Sequence, residues 1–225
     1  MRKIDKTKIL STVYREWEQG LESRGEDHPK WRADYRYYLD VAMNLFYCQR
    51  GLCAYTEIRL CPSACFDPEN WQEGKYYRAE KPEFFGQVEH FDQKLKAKKA
   101  WRWSNLFMVQ ADINSSKVKG SGETDPILKP DTEEYDPYKL LEYNEELHLF
   151  IPNTDLPEAL QQKITAMILT LGINFGPVKD RRERILNKHL AMIAFEKLTW
   201  DDWPDEFPTA FDMCKKMEAA AAEFV

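Results

Sequence analysis

Apolar residues recur every three or four positions in five stretches of the chain, which is the spacing of amphipathic helices. These stretches are residues 10–21, 31–47, 157–171, 178–198 and 211–224. We predict a helix over each of them. The first should end between Gly20 and Gly25, because glycine is a poor helix former and a common helix terminator.

Short apolar runs bounded by turn residues predict strands in four other places. They are a strand turning back on itself at 51–57, strands at 87–91 and 105–109, and a hairpin or meander around 147–151. The segment 66–85 is rich in proline, aromatic and charged residues without a period, which predicts an ordered surface loop. Together these elements predict an α+β fold.

The order of elements predicts three regions of the chain. Residues 1–50 form an N-terminal helical segment, residues 51–126 a central α+β core, and residues 127–225 a mixed and then helical region packed on that core. With 225 residues and 43% hydrophobic content, the chain is long enough to bury a sizeable core.

Composition narrows the class of protein. The net charge of −6 and the pI of about 5.4 exclude the global basic field of a strong stand-alone nucleic-acid binder. The odd count of five cysteines and the absence of a leader-like stretch at the start favour a reducing cytoplasm. No apolar run approaches the roughly 18 residues of a membrane span, so we expect no membrane association.

The stretch 87–120 concentrates the residues with chemical potential. A Glu89-His90 pair closes the first predicted strand of this stretch, Asn105 opens the second after a basic loop, and Asn114 lies just inside a short polar helix. The alternative for each residue alone is ordinary: a packed histidine, and asparagines in turn or capping positions.

In this order and spacing the residues resemble the HNH nuclease motif, whose ββα-metal fold binds one divalent ion. The resemblance implies that His90 is the general base, that Glu89 and Asn114 bind Mg²⁺ or Mn²⁺, and that Asn105 bonds backbone across the loop and orients the histidine. Imidazole is mostly neutral at pH 7 and able to accept a proton, and carboxylate and amide oxygens are ligands that Mg²⁺ prefers.

The resemblance departs from the family at a structural zinc site. Many HNH relatives hold zinc with four cysteines, and the matching positions here are Cys53, Thr56, Gln110 and Ile113. One thiolate cannot form a tetrahedral zinc site, so we expect no structural zinc. Cys61 and Cys65 remain as a weak alternative, because two thiols around a proline are a poor metal signal.

The stretch 89–120 carries seven Lys or Arg residues against three acids, a net charge of +4. Lys94, Arg102, Lys117 and Lys119 are candidate contacts for DNA phosphates, the alternative being a solvated surface. The chain also resembles the HNH proteins of antiphage systems of the Septu and retron-associated type, which implies an ATPase partner.

The C-terminal region is the candidate surface for that partner. Its aromatic residues are either interface anchors or part of the protein's own core: Trp200, Trp203, Phe207, Phe211 and Phe224.

Two alternative functions remain open. The chain could be a binding subunit without nuclease activity, or an RNA-directed nuclease, because phosphate contacts do not distinguish sugars.

We expect His28 to be an exposed loop residue and His148 to lie on the solvent face of a strand. Arg181, Arg182 and Arg184 are expected at a surface, paired with neighbouring acids or facing phosphates.

Overall fold

The computed structural model describes residues 1–30, 36–78, 80–114 and 124–222. Within these ranges it contains six α-helices and three antiparallel sheets of two strands each. The predicted α+β class is confirmed. No helix in the described part of the chain combines the length and the apolar character needed to cross a bilayer.

Five of the six helices overlap the predicted stretches, although the second begins at Tyr38 and the short third helix was not predicted. The predicted positions 31–35 lie outside the described residues. The helices are α1 (Thr12–Ser23), α2 (Tyr38–Gln49), α3 (Pro137–Leu140), α4 (Glu158–Thr170), α5 (Gly176–Ala194) and α6 (Pro208–Ala222). The strands are β1 (Trp71–Gln72), β2 (Lys75–Tyr76), β3 (Gln87–His90), β4 (Leu106–Val109), β5 (Leu141–Asn144) and β6 (Leu149–Pro152). Each sheet is a hairpin that pairs consecutive strands.

Backbone contacts divide the chain into two compact units. One comprises Ile4–Ala54 and Arg59–Asn114, and the other comprises Met1–Lys3, Tyr55–Ile58 and Ser115–Val225. The first unit contains Glu89, His90, Asn105 and Asn114, so we call it the site unit and the other the C-terminal unit.

Helix α2 is the centre of the site unit because apolar residues cover nearly all its faces, and Val41, Leu45 and Phe46 are completely buried. Its last residue, Gln49, attaches the hairpin of β3 and β4 to it. The Gln49 side chain accepts from Met108 N and donates to Met108 O, both at 2.9 Å. A buried amide with both hydrogen-bonding directions satisfied fixes one register between helix and strand.

A tight turn replaces the predicted strand at 51–57. Gly51 has a φ of 73°, and a Cβ there would lie 2.4 Å from the carbonyl oxygen of Cys61, so glycine is required. Within the site unit, the strand reduces to a single antiparallel bridge between Leu52 and Arg59. The predicted loop 66–85 contains the small hairpin of β1 and β2.

The C-terminal unit confirms the hairpin predicted around 147–151 and corrects two side-chain predictions. His148 lies in the turn between β5 and β6, is only 8% exposed, and shares a 2.8 Å hydrogen bond with Tyr143 through Nδ1. Arg182 is fully buried, whereas Arg181 pairs with Glu206. The surface prediction fails for Arg182 because its helix face packs inward and its guanidinium bonds the carbonyls of His148 and Ile173.

The C-terminal aromatic residues divide between core and surface. Phe207 and Phe211 are buried, Trp200 stacks on Phe211, and Trp203 remains 52% exposed. Phe224 lies outside the described residues. Most of this predicted surface therefore closes the protein's own core.

Candidate active site

The hairpin of β3 and β4 carries Glu89, His90 and Asn105, and Asn114 lies in the turn after β4. Antiparallel pairing places Glu89 opposite Phe107 and His90 opposite Leu106. The loop between the strands, residues 91–105, contains two short 3₁₀ turns at Gln93–Ala97 and Trp103–Asn105. His90 and Asn105 therefore lie at the two ends of one loop.

The ring of His90 is buried, with 2% of the residue exposed. Its Nε2 lies 2.7 Å from the carbonyl oxygen of Ala100, inside the loop. A carbonyl can only accept, so Nε2 carries the proton and Nδ1 of the neutral ring is left as an acceptor. Burial lowers the pKa of His90 to about 4, because desolvation penalises the imidazolium, and the nearby Lys96 lowers it further.

Asn105 joins the two ends of the loop. Its Oδ1 accepts from Asp92 N at 2.8 Å, and its Nδ2 donates to Asp92 O at 3.0 Å. Its own carbonyl oxygen accepts from Phe91 N at 2.9 Å, which extends the ladder past the last strand pair. The buried side chain thus imitates a paired strand residue and holds the loop closed directly after His90.

Glu89 and Asn114 are related through Gln87. Residues 87 and 89 lie two apart on β3 and therefore project to the same face. Asn114 Nδ2 donates to Gln87 Oε1 at 3.1 Å, so the Asn114 Oδ1 atom takes no part in that hydrogen bond. Glu89 is 1% exposed. Two oxygen donors with water suit one hard divalent ion held loosely.

Two buried residues that support the loop escaped the sequence analysis. His28 is 4% exposed, so the expectation of an exposed loop histidine is wrong. Lys6 donates to the carbonyls of Trp103 at 2.6 Å and Leu106 at 2.9 Å, and its ammonium lies 4.2 Å from the centre of the Phe107 ring. Neither residue has a sequence signal, because each acts across about 70 or more intervening residues.

The basic candidates have different surroundings. Lys94 is exposed in the Gln93–Ala97 turn, and Arg102 is half-buried beside a polar cavity of about 310 Å³ that Arg15, Glu18 and Ser104 also line. Lys117 and Lys119 lie outside the described residues, as does the short polar helix expected to follow Asn114.

The five cysteines are buried and form no disulfide, and Cys53 lies against the segment that follows β4. Its Sγ accepts from Gln110 N at 3.5 Å, so two of the four positions compared above with zinc-binding cysteines are in contact. At the alternative pair of Cys61 and Cys65, Arg78 Nη1 donates to Cys65 Sγ at 3.1 Å. Among the described residues, no group of three or more His, Cys, Asp or Glu side chains is arranged to hold a metal ion.

Comparison with known sequences supplies no assignment. No protein-family model matches the chain, and no similar sequence is found among curated proteins.

Proposed function

We propose that this protein is a metal-dependent endonuclease of the HNH type that hydrolyses phosphodiester bonds in DNA. The observation that carries the proposal is the pair of contacts around one loop: Asn105 bonds both backbone groups of Asp92, and His90 commits Nε2 to Ala100 O. An asparagine that closes the loop and a histidine with a defined tautomer are the arrangement that a positioned general base needs.

In this reaction His90 Nδ1 takes a proton from the attacking water. A pKa of about 4 leaves the lone pair available at neutral pH but makes the imidazole a weak base. Opening of the site to water and substrate would relieve the desolvation and raise the pKa towards its ordinary value near 6.5. We therefore propose that substrate binding exposes the ring.

Glu89 and Asn114 are the proposed ligands of a single Mg²⁺ or Mn²⁺ ion. Their oxygens fit a hard cation, and the contact of Asn114 with Gln87, two residues before Glu89 on β3, supports the pairing. The bound ion would supply neutralisation of charge on the phosphate and on the leaving oxygen.

Lys94 and Arg102 are the proposed contacts for flanking phosphates, together with Lys117 and Lys119. The net charge of −6 opposes DNA, and the local excess of four positive charges is small. We propose that the chain alone binds duplex DNA in the micromolar range or more weakly at physiological salt, the non-specific regime. An ATPase partner, as in antiphage systems of the Septu type, would supply the missing affinity and the trigger.

Burial of the site favours a second candidate function. With Glu89 at 1% and His90 at 2% exposure, the two side chains as folded are closed to a phosphodiester. A nucleic-acid or partner-binding subunit that keeps the hairpin as a structural core would need no access to them. The two candidates differ in one outcome, which is whether bonds are broken.

The deciding experiment is a plasmid-nicking assay with Mg²⁺ or Mn²⁺, with and without EDTA, on the wild-type chain and on His90→Ala. We expect slow metal-dependent nicking, lowered by roughly 10²- to 10⁴-fold in the variant, the usual scale for loss of a positioned general base. His189→Ala, a half-buried histidine of the C-terminal unit, is the matched control and should cleave as wild type. Undiminished nicking by His90→Ala would reject His90 as the general base, and absence of metal-dependent nicking by the wild type would favour the binding subunit. Preferential cleavage of a single-stranded RNA of the same sequence would redirect the assignment to RNA.

A further inference from the structure

One peptide group of the loop joins two histidines. The carbonyl oxygen of Ala100 lies 2.7 Å from His90 Nε2, and the N–H of the same peptide, that of Trp101, donates to His28 Nδ1 at 3.1 Å. Both histidines are buried, at 2% and 4% exposure. The peptide is therefore held at both ends by imidazole rings.

The hydrogen bond from the Trp101 N–H determines the tautomer of His28. Because a peptide N–H only donates, His28 Nδ1 must be unprotonated, and the proton of a neutral ring then lies on Nε2. That Nε2 lies 3.2 Å from Glu22 Oε1, an electrostatic contact in which the N–H direction does not meet full hydrogen-bond geometry. The Glu22 carboxylate in turn lies 3.4 Å from the ammonium of Lys99.

Helix α1 and the turn after it supply the other contacts to the same loop. Tyr14, Glu18 and Glu22 are spaced by four residues and so share one helix face. Tyr14 Oη donates to Trp101 O at 2.5 Å, and Glu18 Oε1 accepts from Trp103 N at 3.3 Å. Beyond the helix, His28 N donates to Lys98 O at 2.7 Å.

We propose that His28 and Glu22 are positioning residues for His90, acting through the Ala100–Trp101 peptide. This proposal rests on the proposed function, in which His90 is the general base. An acceptor at His28 Nδ1 holds the peptide so that its carbonyl faces His90 Nε2, and this keeps the proton of the His90 ring on Nε2. Glu22 orients the His28 ring.

The test compares His28→Phe with His28→Asn in single-turnover cleavage of DNA. Phenylalanine keeps a ring of similar size and removes the acceptor, whereas the asparagine Oδ1 occupies the place of Nδ1 and retains it. We expect His28→Phe to lower the rate constant by roughly 10- to 100-fold, the usual effect of losing a partner that orients a functional group. The half-saturating DNA concentration should not change, and His28→Asn should restore most of the rate.

Two further readouts separate positioning from general loss of structure. Nitrogen NMR of the imidazole rings should show the His90 proton on Nε2 in the wild type and in His28→Asn, and a mixture of tautomers in His28→Phe. Glu22→Ala tests the same chain at a partly exposed position, with an expected loss of about threefold to tenfold in rate. If His28→Phe does not fold, an unchanged rate in Glu22→Ala overturns the proposal by itself.

Failure of this proposal is distinguishable from failure of the nuclease assignment. Full cleavage by folded His28→Phe, together with an inactive His90→Ala, would remove His28 as a positioning residue and leave His90 as the base. Full cleavage by His90→Ala would overturn this proposal together with the role of His90 as the base. Absence of metal-dependent cleavage in the wild type would overturn both the proposal and the nuclease assignment.

Discussion

Asn105 and Asp92 form a reciprocal pair of hydrogen bonds, with the side-chain amide of one bonded to both backbone groups of the other at 2.8 and 3.0 Å. These two hydrogen bonds close the loop 91–105, and the same loop contains Ala100, whose carbonyl oxygen contacts His90 Nε2. Removing the amide should therefore affect activity and stability together.

Asn105→Ala is expected to lower cleavage by at least roughly 10-fold and to destabilise the fold by about 1 to 3 kcal/mol, because it leaves two half-buried backbone groups of Asp92 without their partner. Asn105→Asp keeps the acceptor for Asp92 N and loses the donor to Asp92 O. It should lie between the wild type and Asn105→Ala in urea unfolding. Equal stability of all three proteins would contradict the closing role of this side chain.

Mg²⁺-dependent cleavage should require the Glu89 carboxylate, and the purified protein should contain no zinc. Glu89→Gln removes the charge of a proposed ligand and should lower Mg²⁺-dependent cleavage by roughly 10²-fold or more. Glu83→Gln is a matched control on an exposed residue of the same unit. Elemental analysis of the purified protein should find no stoichiometric zinc, since Thr56, Gln110 and Ile113 stand where zinc-binding HNH nucleases have three of their four cysteines, if the resemblance holds. About one tightly held zinc per chain would point to Cys61 and Cys65.

Stability should fall in mild acid. Burial lowers the pKa of His90 to about 4, and it also lowers the pKa values of His28 and His148. The ordinary value in an unfolded chain is near 6.5, so between pH 6.5 and 4 the unfolded chain binds protons that the folded chain excludes. The contribution is complete above pH 6.5 and is lost as the pH falls towards 4.

For His90 alone, the free energy of unfolding should fall by up to about 2 kcal/mol between pH 7.5 and pH 5. Urea unfolding at these two pH values measures it, and His90→Gln should show a smaller pH dependence than the wild type. A wild-type protein equally stable at both values would show that the histidines remain accessible to protons.

Arg182 should be a main determinant of stability in the C-terminal unit. Its guanidinium donates to His148 O at 2.8 Å and to Ile173 O at 2.6 Å, and it lies over the rings of Phe150 and Phe207 at 4.8 and 5.4 Å from their centres. Arg182→Ala is expected to cost about 3 kcal/mol or more, because it leaves a cavity and two unpaired carbonyls. Thermal unfolding measures this loss. In the same measurement, Arg184→Ala, an exposed position two residues along the helix, should change stability by less than about 0.5 kcal/mol.

The sequence by itself determined the local elements. Periodicity located five of the six helices, because the burial of one face repeats every turn and leaves a visible pattern. It missed α3, because a single turn is too short to show a period. Short apolar runs located β3 and β4, and the identities of His90 and Asn105 at the ends of one loop could be read from their order alone. The alternation within β3 likewise places Gln87 and Glu89 on one face.

Only the tertiary structure decided which distant residues support that loop. The contact between His28 and Trp101 joins positions 73 residues apart, and the contact between Lys6 and Trp103 joins positions 97 apart. A lone histidine after a turn and a lysine near the start carry no periodic signal, and their usual place is the surface. Burial of these polar groups is stabilising only when each finds a partner, and long-range folding provides those partners. The same reason explains why Arg182 and His148, both expected in solvent, are core residues.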